Sequence, residues 1–312
     1  MTLMRQAMIA ASQSRWLREH APKYGFMRRT VGRFMPGEHV EDAIQAAQAL
    51  ESEKIHTIFT HLGENITDRG EAEAVVKHYL EVQRKIHAAA LNTEISLKLT
   101  QLGLDLDNEY CYGNVARLIE GTPPDRILWI DMEQSPYVDV TLEIYRRARK
   151  THANVGVCVQ AYLYRTERDV EELVAMGASV RLVKGAYSEP AEIAFPVKKD
   201  VDKNYEALAK ALLEADLRRP QSGFRPRAAL ATHDLRLIAS LAKWAGEQGL
   251  PKERVEIQML YGIQRAEQTR LAREGYRSGV LVAYGTYWFP WFMRRLAERP
   301  ANVTFLARNL FS

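Results

Sequence analysis

Ionisable and hydrogen-bonding side chains recur at the ends of apolar runs along this chain, and their types suit the holding of an anion. Lys98 interrupts the run in SLKLTQ, Asp131 and Glu133 close WIDME, and Gln160 and Tyr162 follow VGVCV. Arg181 and Lys184 sit in RLVKG, Thr232 and His233 in ATHD, Gln258 and Tyr261 in IQMLY, and Tyr284 in LVAYG. A lysine in an apolar segment must pair with a carboxylate or hold an anion, because a buried ammonium without a partner is costly. For Lys98 the internal partners would be Asp131 or Glu133. Arg181 and Lys184 bring two cations together, and Gly185 lets a phosphate or other anion approach the backbone; a salt-bridged rim is the alternative reading of the same pair. His233 precedes Asp234, a residue suited to cap a helix, and a lone histidine is more often structural than a metal ligand. His56 and His61 would face opposite sides of one strand, so no metal site is expected.

These positions converge once the elements that carry them are drawn. Eight short runs rich in β-branched and apolar residues read as strands: TIFTHLG (57–63), EISLKL (94–99), ILWIDME (127–133), VGVCVQAYL (155–163), SVRLVKGAY (179–187), AALATH (228–233), VEIQMLYG (255–262) and GVLVAYG (279–285). Between them, segments such as VEDAIQAAQALESEK and LRLIASLAKWAGEQGL repeat apolar residues at three and four positions, the spacing of a helix with one buried face. Eight such units, with both strand faces apolar, predict an α/β chain closed into a (β/α)8 barrel, not an open sheet. In such a barrel the residues named above crowd one mouth, at the C-terminal strand ends. Residues 1–50 are expected to form an N-terminal helical cap of the same domain, and residues 51–312 the barrel.

Bulk properties remove several function classes. With a net charge of +4, 26% charged residues and no polybasic tail, nucleic acid is not an expected partner. Two cysteines, Cys111 and Cys158, without a CxxC pair fit a reducing compartment and no structural zinc. No export signal and no apolar stretch of spanning length is evident, so a cytoplasmic protein is expected, with peripheral membrane contact left open. No GxGxxG after a strand, P-loop or GxSxG reveals a cofactor. After the last strand comes WFPWFMRRLAERP, where Arg294 and Arg295 point about 100° apart on a helix and Glu298 lies within pairing distance of both. On physical grounds alone this is a solvated basic turn or a clamp on a small anion.

SLKLTQLGLD, WIDMEQSPYVD, VGVCVQAYLYRTERD, RLVKGAYSEP, ATHD, VEIQMLYG and FMRRLAERPANV, in this order, resemble the motifs of the small monofunctional bacterial proline dehydrogenases, from about Lys23 to the C-terminus. The resemblance implies a distorted (β/α)8 TIM barrel with a C-terminal helix over its mouth. It implies FAD bound without a Rossmann fold, oxidation of L-proline to Δ1-pyrroline-5-carboxylate, a membrane quinone as electron acceptor, and a separate pyrroline-5-carboxylate dehydrogenase as a partner for the product. By position, Lys98, Arg294 and Arg295 match the holders of the proline carboxylate, with Glu298 supporting the arginines. Asp131 and Arg181 match catalytic-site residues near substrate and flavin N5, Tyr187 a tyrosine beside the substrate, and Glu64 a gate residue. Met132, Gln160, Lys184, Gly185, Ala186, Thr232, His233, Gln258 and Leu260 match flavin-contacting positions. One departure stands out: Leu281 occupies a position usually held by a tyrosine that meets the substrate ring, which bears on selection between proline and hydroxyproline. Ile257 replaces a common phenylalanine, a conservative packing change. Apart from the resemblance, the same barrel would suit a Schiff-base aldolase acting through Lys98 or Lys184, or a carboxylate-binding barrel without turnover.

Overall fold

The computed structural model describes residue 20 and residues 31–63, 65–218 and 226–298, the segment 294–298 as helical backbone. Eight strands, β1 (His56–His61), β2 (Thr93–Leu97), β3 (Leu128–Ile130), β4 (Val155–Gln160), β5 (Ser179–Val183), β6 (Ala228–Ala231), β7 (Glu256–Leu260) and β8 (Arg277–Tyr284), pair in chain order, all parallel, and β8 closes on β1. The eight expected runs are thus the eight strands. Most stop short of the apolar pattern at their C-terminal ends: Lys98 follows β2, Asp131 follows β3, and Lys184 to Tyr187 follow β5. The overshoot has a physical cause. Parallel pairing fades over a further residue or two, as Asp131 N–H donates to Leu97 O (2.8 Å) and Tyr162 N–H to Lys184 O (2.9 Å), so strand-like composition continues into the mouth loops.

Helices shield the outer strand faces, each with a stripe of apolar residues turned inward. In Leu235–Glu247 these are Leu237, Ile238, Leu241 and Ala245. Asp68, Asp107 and Asp234 start three helices by accepting from the N–H of Glu71, Tyr110 and Arg236. The seam between β8 and β1 is covered by Val40–Glu51, the helix before the first strand, which packs on both. That is the place a helix after β8 fills in a regular barrel. The chain after β8 instead forms Trp288–Glu298 across the mouth. Trp288, Phe289 and Phe292 bury themselves against Val31, Phe34 and Met35 and against Leu62 and Ala283 at the ends of β1 and β8. Trp288 Nε1 donates to Glu38 Oε1 at 2.9 Å, tying the two ends of the described chain together.

Inside the barrel, Trp129 packs with Ile58, Ile127 and Ala229. Its neighbour on β4 is Gly156, where a Cβ would lie 2.6 Å from the indole, so only glycine leaves room for the ring. Below the indole, charges close the barrel floor. Arg227 reaches both oxygens of Glu94 at 2.6 and 2.7 Å, and Ile127 N–H and Trp129 Nε1–H donate to the same carboxylate. Glu256 faces Arg227 Nε at 3.3 Å, Arg277 Nε at 3.2 Å and His56 Nε2 at 3.2 Å. Burial alone would raise both carboxyls, yet Arg227 beside Glu94, and Arg227 with Arg277 beside Glu256, hold them below the ordinary range.

Candidate active site

A cavity of about 880 Å³ opens at the C-terminal mouth, under Trp291. Every residue that the resemblance assigns to the site and whose side chain is described lines it: Lys98 and Asp131 with Met132, Gln160 and Arg181, then Lys184 to Tyr187, Thr232, His233, Gln258, Leu260 and Leu281, whereas Glu133, Tyr162, Tyr261 and Tyr284, expected at the mouth from their strand ends, do not. Glu64 lies outside the described residues, as do the side chains of Arg294, Arg295 and Glu298, whose backbone continues the helix above the mouth.

Arg181 is the deepest charge, 2% exposed. Its Nη1 donates to Asp131 Oδ1 at 2.9 Å and to Ser96 Oγ at 2.7 Å, its Nε donates to Gln258 Oε1 at 2.8 Å, and its Cζ lies 4.7 Å from the Trp129 ring centre. Its Nη2 is buried without a hydrogen-bond partner. An N–H in that state costs free energy unless something accepts it. Lys98 caps the first turn after β2 and is half-buried. Neither expected internal partner takes it: Asp131 is bound to Arg181 and Ser96, and Glu133 accepts from Thr100 N–H and Oγ1–H. Among the described residues Lys98 has no carboxylate partner, and the anion-holding reading gains accordingly.

Lys184 goes the other way. Its ammonium is shared by Asp202 and Asp234, the latter at 2.9 Å, and Lys198 joins the same pair of carboxylates. Burial would raise both aspartates; Lys184 beside them holds them below their usual range. Arg181 and Lys184 are therefore not two unpaired cations at one strand end, and for Lys184 the salt-bridged rim is what the structure contains. Gly185, at φ 120°, is required for a different reason than anion approach alone: a Cβ there would come 2.3 Å from the Tyr162 ring. His233 Nε2 accepts from Leu260 N–H at 2.9 Å, which puts the proton of the neutral ring on Nδ1.

Some strand-end residues miss the mouth altogether: His61 and Tyr284 are turned away by strand alternation from Thr60 and Leu281, which line it, and Glu133 lies beyond the end of β3. Glu133 holds the turn after β2, and His61 stacks against His78 at 4.5 Å, its pKa pushed down to about 4 by burial, His78 and Lys98. Tyr284 bonds His78 Nε2 at 2.9 Å. Among the described residues no cluster of metal-ligating side chains occurs. Sequence reading missed Cys158, Asp202 and Trp291 as cavity residues. Cys158 was legible by its alternation with Gln160 in VCVQ; its thiol is pushed up to about 12 by burial and Asp131. Asp202 comes from a helix, with no local signal.

With this geometry in hand, the family model described as proline dehydrogenase matches residues 43–308. The chain belongs to the proline dehydrogenase family. It is 36% identical over 310 residues to proline dehydrogenase 1 of Bacillus subtilis (strain 168), covering 99% of each chain. It is 36% identical over 284 residues to proline dehydrogenase of Deinococcus radiodurans, covering 89% of each. Among solved structures, proline utilization A from Bdellovibrio bacteriovorus, inactivated by N-propargylglycine, superposes with a TM-score of 0.78 at 24% identity, over 94% of this chain and 36% of that one. That likeness is one of fold. It shows that this barrel fold also stands as part of a longer chain.

Proposed function

We propose that this protein oxidises L-proline to Δ1-pyrroline-5-carboxylate, with FAD bound at the barrel mouth and a membrane quinone as final electron acceptor. One observation carries the reading: Lys98 stands without a carboxylate partner among the described residues, in the same cavity as a buried Arg181 with an unsatisfied N–H. A small carboxylate would answer the first and an electron-rich acceptor the second.

The cavity lining fits a flavin. The cavity has the volume of a cofactor site, Arg181 Nη2 needs an acceptor, and Met132, Gln160, Lys184 to Ala186, Thr232, His233, Gln258 and Leu260, on or just after the successive strands β3 to β7, line it. When bound, the flavin supplies the acceptor for the hydride leaving the substrate. The protein does the rest by placement. Lys98, with Arg294 and Arg295 from the helix above, holds the carboxylate of proline, and Glu298 orients the arginines. Glu64 closes the site as a gate. Fixing that carboxylate fixes the ring, which lies between Tyr187 and Leu281, so the reacting carbon is presented in one pose and transfer becomes nearly unimolecular. Arg181, compensated by Asp131, provides a positive charge that needs no reorganisation when negative charge arrives beside it. Trp291 and the aromatic helix exclude water.

The product passes to a separate pyrroline-5-carboxylate dehydrogenase, and the reaction takes place in the cytoplasm, with peripheral contact at the membrane that holds the quinone. Among the described residues no helix is long and apolar enough to cross a membrane. An aldolase would need a lysine free to form a Schiff base: Lys184 is committed to Asp202 and Asp234, which leaves Lys98, and borohydride trapping of a keto acid on Lys98 would favour that reading. The test is an anaerobic titration of the purified protein with L-proline. A yellow protein whose flavin absorbance bleaches is the expected outcome; a protein that takes up no FAD, or whose flavin proline leaves oxidised, overturns the reading.

A further inference from the structure

Arg181 has one contact that leads away from the cavity. Its Nε donates to Gln258 Oε1 at 2.8 Å, and Gln258 Nε2 donates to Glu256 Oε1 at 2.6 Å. All three residues are at least 98% buried. Glu256 lies two residues below Gln258 on β7, within ion-pair range of Arg227, Arg277 and His56, and takes no part in lining the mouth cavity.

This chain of bonds has a direction dictated by chemistry. A guanidinium only donates and a carboxylate only accepts, so the amide between them has one admissible orientation, oxygen to Arg181 and nitrogen to Glu256. The anchor also completes a geometric requirement. Asp131 and Ser96 both act on Nη1 and by themselves leave the planar group free to swing about that point. A second anchor on Nε fixes the plane, and with it the direction of the remaining Nη2.

We propose that Glu256 is a positioning residue: through Gln258 it sets the plane of the Arg181 guanidinium from the barrel floor. The proposal rests on the role in proline oxidation given to Arg181 above. Glu256→Gln disfavours the bridge, because Arg227 and Arg277 draw the oxygen of the new amide and turn its nitrogen toward Gln258. With its nitrogen toward Gln258, that side chain must flip and oppose Arg181 with a donor; with its oxygen there, its nitrogen opposes Arg227 and Arg277. The exchange Glu256→Gln/Gln258→Glu closes the order again at unchanged net charge. The carboxylate, now at position 258, accepts from Arg181 and from the amide at position 256, whose oxygen faces Arg227 and Arg277.

Two readouts test this. The Arg181 Nε–H signal in a ¹H–¹⁵N spectrum, assigned by its loss in Arg181→Lys, is recorded without flavin or substrate; kcat and KM for proline are measured on the flavin-loaded protein. Glu256→Gln is expected to lose or displace the signal and to lower kcat about 100-fold, with KM within about threefold. The exchange is expected to restore the signal and at least about tenfold of kcat. A parental signal in Gln258→Met, which removes both bonds, overturns the bridge whatever the reaction is; a parental signal in Glu256→Gln overturns the requirement for a carboxylate at position 256. Loss of the signal with kcat within about twofold of the parent overturns the role given to Arg181, and the positioning role with it. An exchange variant no better than the single one also overturns the proposal. Should Glu256→Gln not fold, Gln258→Met cuts both bonds at constant charge: loss of signal and kcat is expected, and parental values refute the bridge.

Discussion

The mouth and the floor of this barrel are both charged, both lined with arginine, and both hollow, yet only one of them is left with something to bind. A cavity of about 600 Å³ at the floor is lined by Arg227, Arg254 and Arg277. Each of these faces an acid: Arg227 meets Glu94, Arg254 meets Asp216 at 3.0 Å, and Arg277 meets Glu256. Even the floor N–H groups that miss hydrogen-bond geometry, Arg227 Nε and Arg277 Nε, sit 3.3 and 3.2 Å from a carboxylate oxygen. At the mouth, Arg181 Nη2 has no such acid and Lys98 has no carboxylate partner among the described residues. Volume and arginine content are therefore shared by both ends. Unmet donor capacity belongs to the mouth, and it separates a site from a scaffold.

The contrast is broken most severely by cutting a charge from each end. Glu94→Ala leaves Arg227 only its longer contact with Glu256 and takes the acceptor from the buried Ile127 N–H and Trp129 Nε1–H, and the loss expected is about 3–5 kcal/mol in urea unfolding. A Glu94→Ala protein as stable as the parent would show that the floor pairs only neutralise one another and hold nothing together.

Lys98→Ala should behave in the opposite way. Removing a half-buried ammonium that lacks a carboxylate relieves a desolvation cost, so the unfolding midpoint is expected to stay or rise. The KM for proline, in contrast, is expected to rise about 10- to 100-fold, the worth of one hydrogen bond to a charged group. If Lys98→Ala destabilised the fold as much as Glu94→Ala, the distinction between mouth and floor would be lost.

How much of this could be read from the sequence follows the same division. The barrel was legible because eight apolar runs at regular spacing admit few other closures, and the mouth was legible because Lys98, Arg181 and Gln258 break those runs in or just after their strands. Which helix seals β8 against β1 was not, since Val40–Glu51 carries an ordinary amphipathic pattern and its place depends on chain closure. Nor was it legible that Lys184 would be neutralised, because Asp202 and Asp234 reach it from separate helices, or helix starts, across the rim. Pairing of charges is a tertiary property: the sequence shows that a cation sits at a strand end, and only packing decides whether it is spent there. The family resemblance supplied the residue roles that neither spacing nor packing assigns.

Charge does not account for everything at the mouth, and Leu281 is where shape takes over. It pairs in register with Ile58 and Leu260, is half-buried, and lines the cavity together with Lys98 and Tyr187. A hydroxyl carried on the proline ring against this leucine would be desolvated without a partner, and an apolar wall of this kind rejects an added hydroxyl by about 100-fold at the outside. Leu281→Tyr replaces that penalty by bulk. Its ring fills the space a substituent would take, so kcat/KM for proline is expected to stay within about threefold while that for 4-hydroxyproline falls about tenfold further, a change of about 1.4 kcal/mol. Unfolding should not move, because the side chain borders a cavity and not the packed floor. A Leu281→Tyr protein that instead gained activity on 4-hydroxyproline would mean that the new phenol bonds the substrate hydroxyl, and selection at this mouth would then rest on hydrogen-bond pairing, as in the carboxylate recognition proposed for Lys98, and not on shape.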